Sequence, residues 1–440
     1  MHRLAEAQLL AWKETTERLP LLVRGARQVG KSFLVEQFGR EHFSSFAIIN
    51  FEFERRYRTC FETLDPEKII LNLSLISGKT ITPGETLLFL DEIQECPQAI
   101  LALRYFKEKM PGLHVIAAGS LLEFTLNQAE FRMPVGRVQS LYLKPLSFYE
   151  FLLANDGKSL VTYLESIDLT QAINPSVHEL LLEKCREYFV VGGMPAVVKQ
   201  YIDNKNGLQS QALQGSLLEY YQKDFGKYQA KIKPDYLQTL FDKAPGLVSE
   251  HFKYRDIDAN GLSRDIKPAV KCLIDAGLIY SVHATTASGL PFASTVNERK
   301  FKLLFLDVGL VSHATHLDFE LLLTEPLLLL NRGALAEQFV GQELLAYGRT
   351  YEAQHLYYWE REKSSSEAEV DYVINIGSTI IPLEVKAGKT GRLKSLHIFM
   401  QEKNASLGIK VSQEPLAFDR GILSLPLYLL HELPRLVKQL

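Results

Sequence analysis

Cysteine is scarce: the 440 residues hold four (Cys60, Cys96, Cys185 and Cys272), far apart and with no C-x-x-C pair. That argues against a disulfide framework or a cysteine zinc site and fits a reducing compartment. An excess of either charge is missing too, because 49 Lys and Arg face 52 Asp and Glu for a net charge of −3. Without a global basic footprint, any nucleic-acid surface must be local. Long apolar runs are also lacking. The most apolar stretch, residues 321–330, is broken by Thr324-Glu325-Pro326 and is too short to span a bilayer. The opening Met1-His2-Arg3-Leu4-Ala5-Glu6 has no signal-peptide core. A cytoplasmic protein without a membrane partner is expected. What remains is an ordinary globular composition, 46% apolar and 23% charged, at a length that suits two to four domains.

The most informative stretch is Gly25-Ala26-Arg27-Gln28-Val29-Gly30-Lys31-Ser32, of the form G-x-x-x-x-G-K-S. Apolar Leu21-Leu22-Val23 precedes it, and an amphipathic segment starting at Phe33 follows, so the order is strand, tight loop, helix. The two glycines let successive N–H groups turn inward toward phosphate oxygens, and the helix start adds the positive end of its dipole. ATP is the expected ligand, held by residues 25–33. Lys31 should bridge the β- and γ-phosphates, and the Ser32 hydroxyl should ligate Mg²⁺.

About sixty residues on, Thr86-Leu87-Leu88-Phe89-Leu90 ends in Asp91-Glu92, the pattern of a buried parallel strand with a site at its carboxyl end. Asp91 is expected to hold Mg²⁺ and Glu92 to polarise the attacking water as general base. The apolar segment 113–118 ends in Gly119-Ser120, either a turn or a polar sensor of the γ-phosphate. Arg137, after Gly136, is a candidate arginine finger acting in cis or from a neighbouring subunit, against the commoner surface arginine. A helix is expected over 146–153.

These motifs, with Ala118-Gly119-Ser120, Gly136-Arg137 and Pro145-Leu146-Ser147-Phe148-Tyr149-Glu150-Phe151, resemble a group of bacterial and archaeal AAA+ ATPases with a C-terminal domain of unknown function. The resemblance implies an α/β fold: a parallel sheet with the Walker A strand at its centre and one strand inserted between the two Walker strands. Along the chain the expected parts are a P-loop domain over 1–155, a helical lid over 156–228, a winged-helix-like domain over 229–316 and an endonuclease-like domain over 317–440. Gly192-Gly193-Met194-Pro195 suits a bend between lid helices.

In the third part, helical segments near 236–247 and 267–276 lead into two strands, the order of a winged helix. Arg264, Lys267 and Lys271 are candidate DNA contacts, opposed by Asp256, Asp258, Asp265 and Asp275; a docking role stays open. In the fourth part, Glu369-Val370-Asp371 and Glu384-Val385-Lys386 lie on the two arms of an expected hairpin. Two carboxylates and a lysine converging on a sheet are what metal-assisted phosphodiester hydrolysis needs. Glu337 … Asp371 … Glu384-Val385-Lys386 resembles the PD-(D/E)xK restriction-endonuclease-like pattern, with Glu337 completing the metal site. Solvated charges on a strand are the bland alternative. His313 and His316 lack nearby thiols and are expected to be structural or exposed.

The leading expectation is a Mg²⁺-dependent ATPase whose nucleotide cycle controls the C-terminal half. A DNA nuclease gated by ATP and a nucleotide-switched binding module with little turnover are the alternatives. Partners left open are DNA, another protein, or further copies of the chain.

Overall fold

The computed structural model describes residues 1–120, 122–126, 136–227, 232, 234–317, 332–361, 368–386 and 393–440. The apolar stretch 321–330 lies outside the described residues. The chain forms two compact units. One is Met1–Lys144 with Asp275–Gly277 and Arg349–Ala353; the other is Pro145–Ile274, Leu278–Gly348 and Gln354–Leu440. The segments expected as lid, winged helix and endonuclease-like domain fall within the second unit, apart from Asp275–Gly277 and Arg349–Ala353. Among the described residues, no helix is long and apolar enough to cross a membrane.

The first unit is built on a parallel sheet of β1 (Leu21–Arg24), β2 (Ser45–Asn50), β3 (Thr86–Asp91), β4 (His114–Ala118) and β5 (Gln139–Tyr142). The order is β2-β3-β4-β1-β5, with every pair parallel. The strand that feeds the glycine loop is therefore fourth of five rather than central, while β4 does separate it from β3, as expected. Strands β3 and β4 are buried along their whole length, which is why they read as continuous apolar runs. The helix Lys31–His42 packs through Leu34, Val35 and Phe38. Because all strands run one way, their carboxyl ends deliver the glycine loop, Asn50, Asp91 and Ser120 to one edge.

The second unit opens on helix Phe148–Ala154, two residues later than expected. Ser147 takes the N-cap, accepting from Glu150 N while the Glu150 carboxylate accepts from Ser147 N, and this reciprocal box fixes the start. Helices Pro175–Val191 and Pro195–Asn204 flank the Gly192-Gly193-Met194 bend. Gly192 has φ +73°, and a Cβ there would sit 2.0 Å from Asp307 Oδ2. Asp307 accepts from Gly193 N at 2.6 Å and caps helix Val308–Ala314. The bend is thus locked to a buried carboxylate. Beside it Glu343, also fully buried, accepts from Phe148 N and from the Tyr188 hydroxyl.

The two strands expected to form a wing are present as the antiparallel pair β6 (Ile279–Thr285) and β7 (Val296–Phe305). It is not a free wing, because β6 also pairs in parallel with β8 (Leu356–Glu360), which pairs with β9 (Glu369–Val370). The other sheet has the order β10-β11-β12-β14-β13, from Tyr372–Ile376, Thr379–Val385, Gly408–Ser412, Ala417–Asp419 (β13) and Ile422–Pro426 (β14). Asp371 is the single residue between β9 and β10, where the chain leaves one sheet and joins the other. Strict alternation would put Val370 and Val373 on opposite faces. The break at Asp371 lets both join a core with Trp359 and Phe399.

Candidate functional site

The glycine loop departs from ordinary backbone at three positions: Gly25 (φ +141°), Gln28 (φ +64°) and Gly30 (φ +92°). At Gly25 the constraint is also spatial, since a Cβ would lie 2.2 Å from the Leu143 carbonyl oxygen. The Lys31 ammonium donates to the carbonyls of Gly25 (2.9 Å) and Ala26 (2.8 Å), so it lies inside the curl of the loop. Burial pushes its pKa down to about 8, against the opposing pull of Glu92 and Asp91. Phe33, one turn into the helix, is exposed.

Ser32 Oγ donates to both carboxylate oxygens of Asp91, at 3.0 and 3.2 Å. Asn50, at the end of β2, donates to Asp91 Oδ2 at 3.0 Å. Burial, then the neighbouring Glu92, raises the Asp91 pKa. A hydroxyl beside a desolvated carboxylate is a donor set that suits Mg²⁺, a hard cation that prefers oxygen ligands. Glu92 has a left-handed backbone (φ +49°), and its Oε2 accepts from Gln94 Nε2 (2.7 Å), Ser120 Oγ (3.2 Å) and Ser120 N (3.3 Å). Ser120 thus hydrogen-bonds, through both its hydroxyl and its backbone N–H, the acid expected to act as base.

Arg137 does not join them. It precedes the start of β5, whose first residue pairs with Leu21, so it lies at the amino edge of the sheet. There it donates to Glu108 at 3.2 Å and is half exposed. An arginine finger acting within its own chain is not what this placement offers. Two contributors were not foreseen. Asn50 had the signal of a polar residue ending an apolar strand. Arg3 had none: it is buried and donates to Val29 O at 2.9 Å and Lys144 O at 2.6 Å, bracing the loop from below.

Comparison with known families matches residues 17–152 to the AAA domain. The first unit carries a P-loop AAA domain. Two domains of unknown function match residues 182–321 (DUF8612) and 332–430 (DUF4143). No curated protein matches the sequence. Among solved structures, the Walker-type ATPase PABY2304 of Pyrococcus abyssi is similar at 16% identity and TM-score 0.46, over 71% of this chain and 95% of that one. The ORC2 protein of Aeropyrum pernix, solved as ADPNP–ADP complexes, is similar at 11% identity and TM-score 0.34, over 73% and 92%. The ORC1 protein of the same organism, solved with DNA, is similar at 12% identity and TM-score 0.29, over 73% and 94%.

Apart from the AAA domain, the second unit gathers its own polar cluster. Glu337 comes from helix Arg332–Tyr347, Asp371 from the β9–β10 junction, Glu384 from β11, and Lys386 from just beyond it. Lys386 Nζ donates to Glu384 Oε1 at 2.5 Å, and Val385 N donates to Asp371 Oδ2 at 2.8 Å. All four expected residues are thus brought together. Burial, then Asp371, raises the Glu337 and Glu384 carboxyls; burial also raises Asp371. Burial alone would lower the Lys386 ammonium, but the Glu384 hydrogen bond and the charges of Glu384, Asp371 and Glu337 together outweigh it and raise it.

Three further members were missed. Lys302, on β7, pairs with Glu369 and lies 3.6 Å from Glu337 Oε2 and 4.0 Å from Asp371 Oδ1. His251 Nε2 is 2.6 Å from Glu369 Oε2. Lys302 did have a signal, a lone charge inside the buried run Phe301–Phe305. The candidate DNA contacts Arg264, Lys267 and Lys271 are exposed along helix Ser263–Asp275, with Ile266, Ala269, Val270 and Leu273 buried behind them. His313 is partly buried and His316 exposed.

Proposed function

We propose that the protein is a Mg²⁺-dependent ATPase whose nucleotide cycle controls the activity of its C-terminal half. The observation that carries this reading is the meeting of Lys31, Ser32, Asp91 and a doubly oriented Glu92 at one edge of the AAA sheet. In the proposed cycle the loop N–H groups and Lys31 bind the β- and γ-phosphates. Mg²⁺ held by Ser32 and Asp91 would neutralise charge on those phosphates. Glu92 accepts a proton from the water that attacks the γ-phosphorus, and the bond to the ADP oxygen breaks. Ser120 and Gln94 hold the Glu92 carboxylate for that transfer.

A second reading makes the C-terminal cluster a metal-dependent DNA nuclease gated by the AAA domain. Glu337, Asp371, Glu384 and Lys386 support it, and Glu384 Oε2 is buried with no hydrogen-bond partner among the described residues, an oxygen that suits a divalent cation. Around the cluster the order is helix, four strands (β9 and β10 parted only by Asp371), helix and strand, which is consistent with the endonuclease-like fold the sequence suggests. The exposed basic stripe of helix Ser263–Asp275 would then be one DNA contact. Both readings are tested in one tube, by following ATP hydrolysis with Mg²⁺, with and without DNA, and strand breaks. Hydrolysis lost in Glu92→Gln supports the first. Cuts lost in Asp371→Asn and Glu384→Gln support the second. Intact DNA with steady ATP turnover leaves the C-terminal half a docking platform.

A further inference from the structure

The C-terminal cluster holds four carboxylates (Glu337, Glu369, Asp371, Glu384) around two ammonium groups, Lys302 and Lys386. The two lysines divide the cluster. Lys386 serves Glu384 from the adjoining strand end, whereas Lys302 enters from β7 and faces Glu369, Glu337 and Asp371. Lys302 is almost fully buried, and its ammonium also lies 5.3 Å from the centre of the Tyr358 ring. Three carboxylates around one buried point is the environment of a cation, and here the cation is covalently tethered. The cluster oxygen that no donor among the described residues reaches, Glu384 Oε2, is on the residue Lys302 does not pair with. His251, Glu360 and Glu369 bring ligand atoms within 4.8 Å of one another on the Lys302 side, so the side chains there could serve an ion if the lysine were absent.

We propose that Lys302 is a resident counter-ion that fills the second cation position of this pocket and limits it to one divalent ion, at Asp371 and Glu384. Fully ionised, the four acids and two lysines leave two negative charges, which one divalent ion balances. The proposal rests on the metal-binding reading of the cluster, and its test separates the two. Mn²⁺ is titrated into the nucleotide-free full chain and counted by electron paramagnetic resonance. One ion that disappears in Glu384→Gln is expected for the unchanged protein. Lys302→Met should add a second, with the line broadening of two neighbouring Mn²⁺ ions, whereas Lys302→Arg should keep one. If Lys302→Met does not fold, Lys302→Gln, which keeps a donor for Glu369 but no charge, carries the same expectation. Absence of any ion sensitive to Glu384→Gln overturns the metal reading and the proposal with it. A single ion of unchanged affinity in the uncharged Lys302 variants overturns the counter-ion role alone.

Discussion

Ser32 Oγ and Asp91 Oδ1 are 3.0 Å apart although the residues are 59 positions apart in sequence. The parallel sheet produces this meeting, because β1 and β3 both end at the same edge and each releases its polar residues there. A hydroxyl and a carboxylate already in contact can be bridged by one Mg²⁺ with little rearrangement, which is the sense in which the site is prepared.

Lys31 and Glu92 should separate binding from hydrolysis. Lys31→Ala is expected to abolish ATP binding, read by calorimetry, because the buried ammonium is the principal positive charge in the loop. Glu92→Gln should still bind ATP while turnover falls by roughly 10²–10⁴, the usual contribution of a positioned base. Tight ATP binding by Lys31→Ala would count against the site assignment.

ATP affinity should fall at alkaline pH. Burial holds the free Lys31 near pKa 8, so below that pH the ammonium is already charged, and above it binding must take up a proton. The dissociation constant should therefore rise above pH 8, approaching about tenfold per unit. Titrations of a non-hydrolysable analogue between pH 7 and 9.5 would reveal it. A flat profile would mean that Lys31 is charged throughout.

Gly25→Ala tests the tight approach of the loop to β5. The new methyl would meet the Leu143 carbonyl oxygen at 2.2 Å, on a backbone at φ +141° that side chains rarely adopt. Backbone strain alone costs about 1–3 kcal/mol, so a lower melting temperature and loss of nucleotide binding are expected together. Ordinary stability with intact binding would contradict the loop geometry.

Glu343 should make the second unit less stable as pH rises. Burial lifts its folded pKa from 4.5 to about 8. Between those values the unfolded chain releases the proton that the folded chain keeps, so stability falls with rising pH across that window. Glu343→Gln keeps an acceptor for Phe148 N and should flatten the slope, as measured by urea denaturation from pH 5 to 8.

Contiguous chemistry was legible in the sequence. The glycine loop, the apolar strand ending in Asp91-Glu92, and the paired arms carrying Asp371 and Glu384-Val385-Lys386 each announce themselves, because one short run supplies both the local shape and the reactive groups. Helix starts were less so. The one at 148 depended on a side-chain cap at Ser147, and the arrangement of β6 as an inner strand depended on β8, about seventy residues away.

The sequence by itself determined that this chain has a glycine loop of phosphate-binding form, a candidate metal-holding acid and a candidate base, since backbone turns and strand burial follow from neighbouring residues. Only the tertiary structure decided what surrounds them. It brought Arg3 under the loop, drew Asn50 to Asp91, put Arg137 at the far edge, and carried Lys302 into the acid cluster from another strand. The physical reason is that a buried charge is set by whatever the fold packs around it. For Lys302 those partners lie on separate elements of the chain, so no local pattern names them.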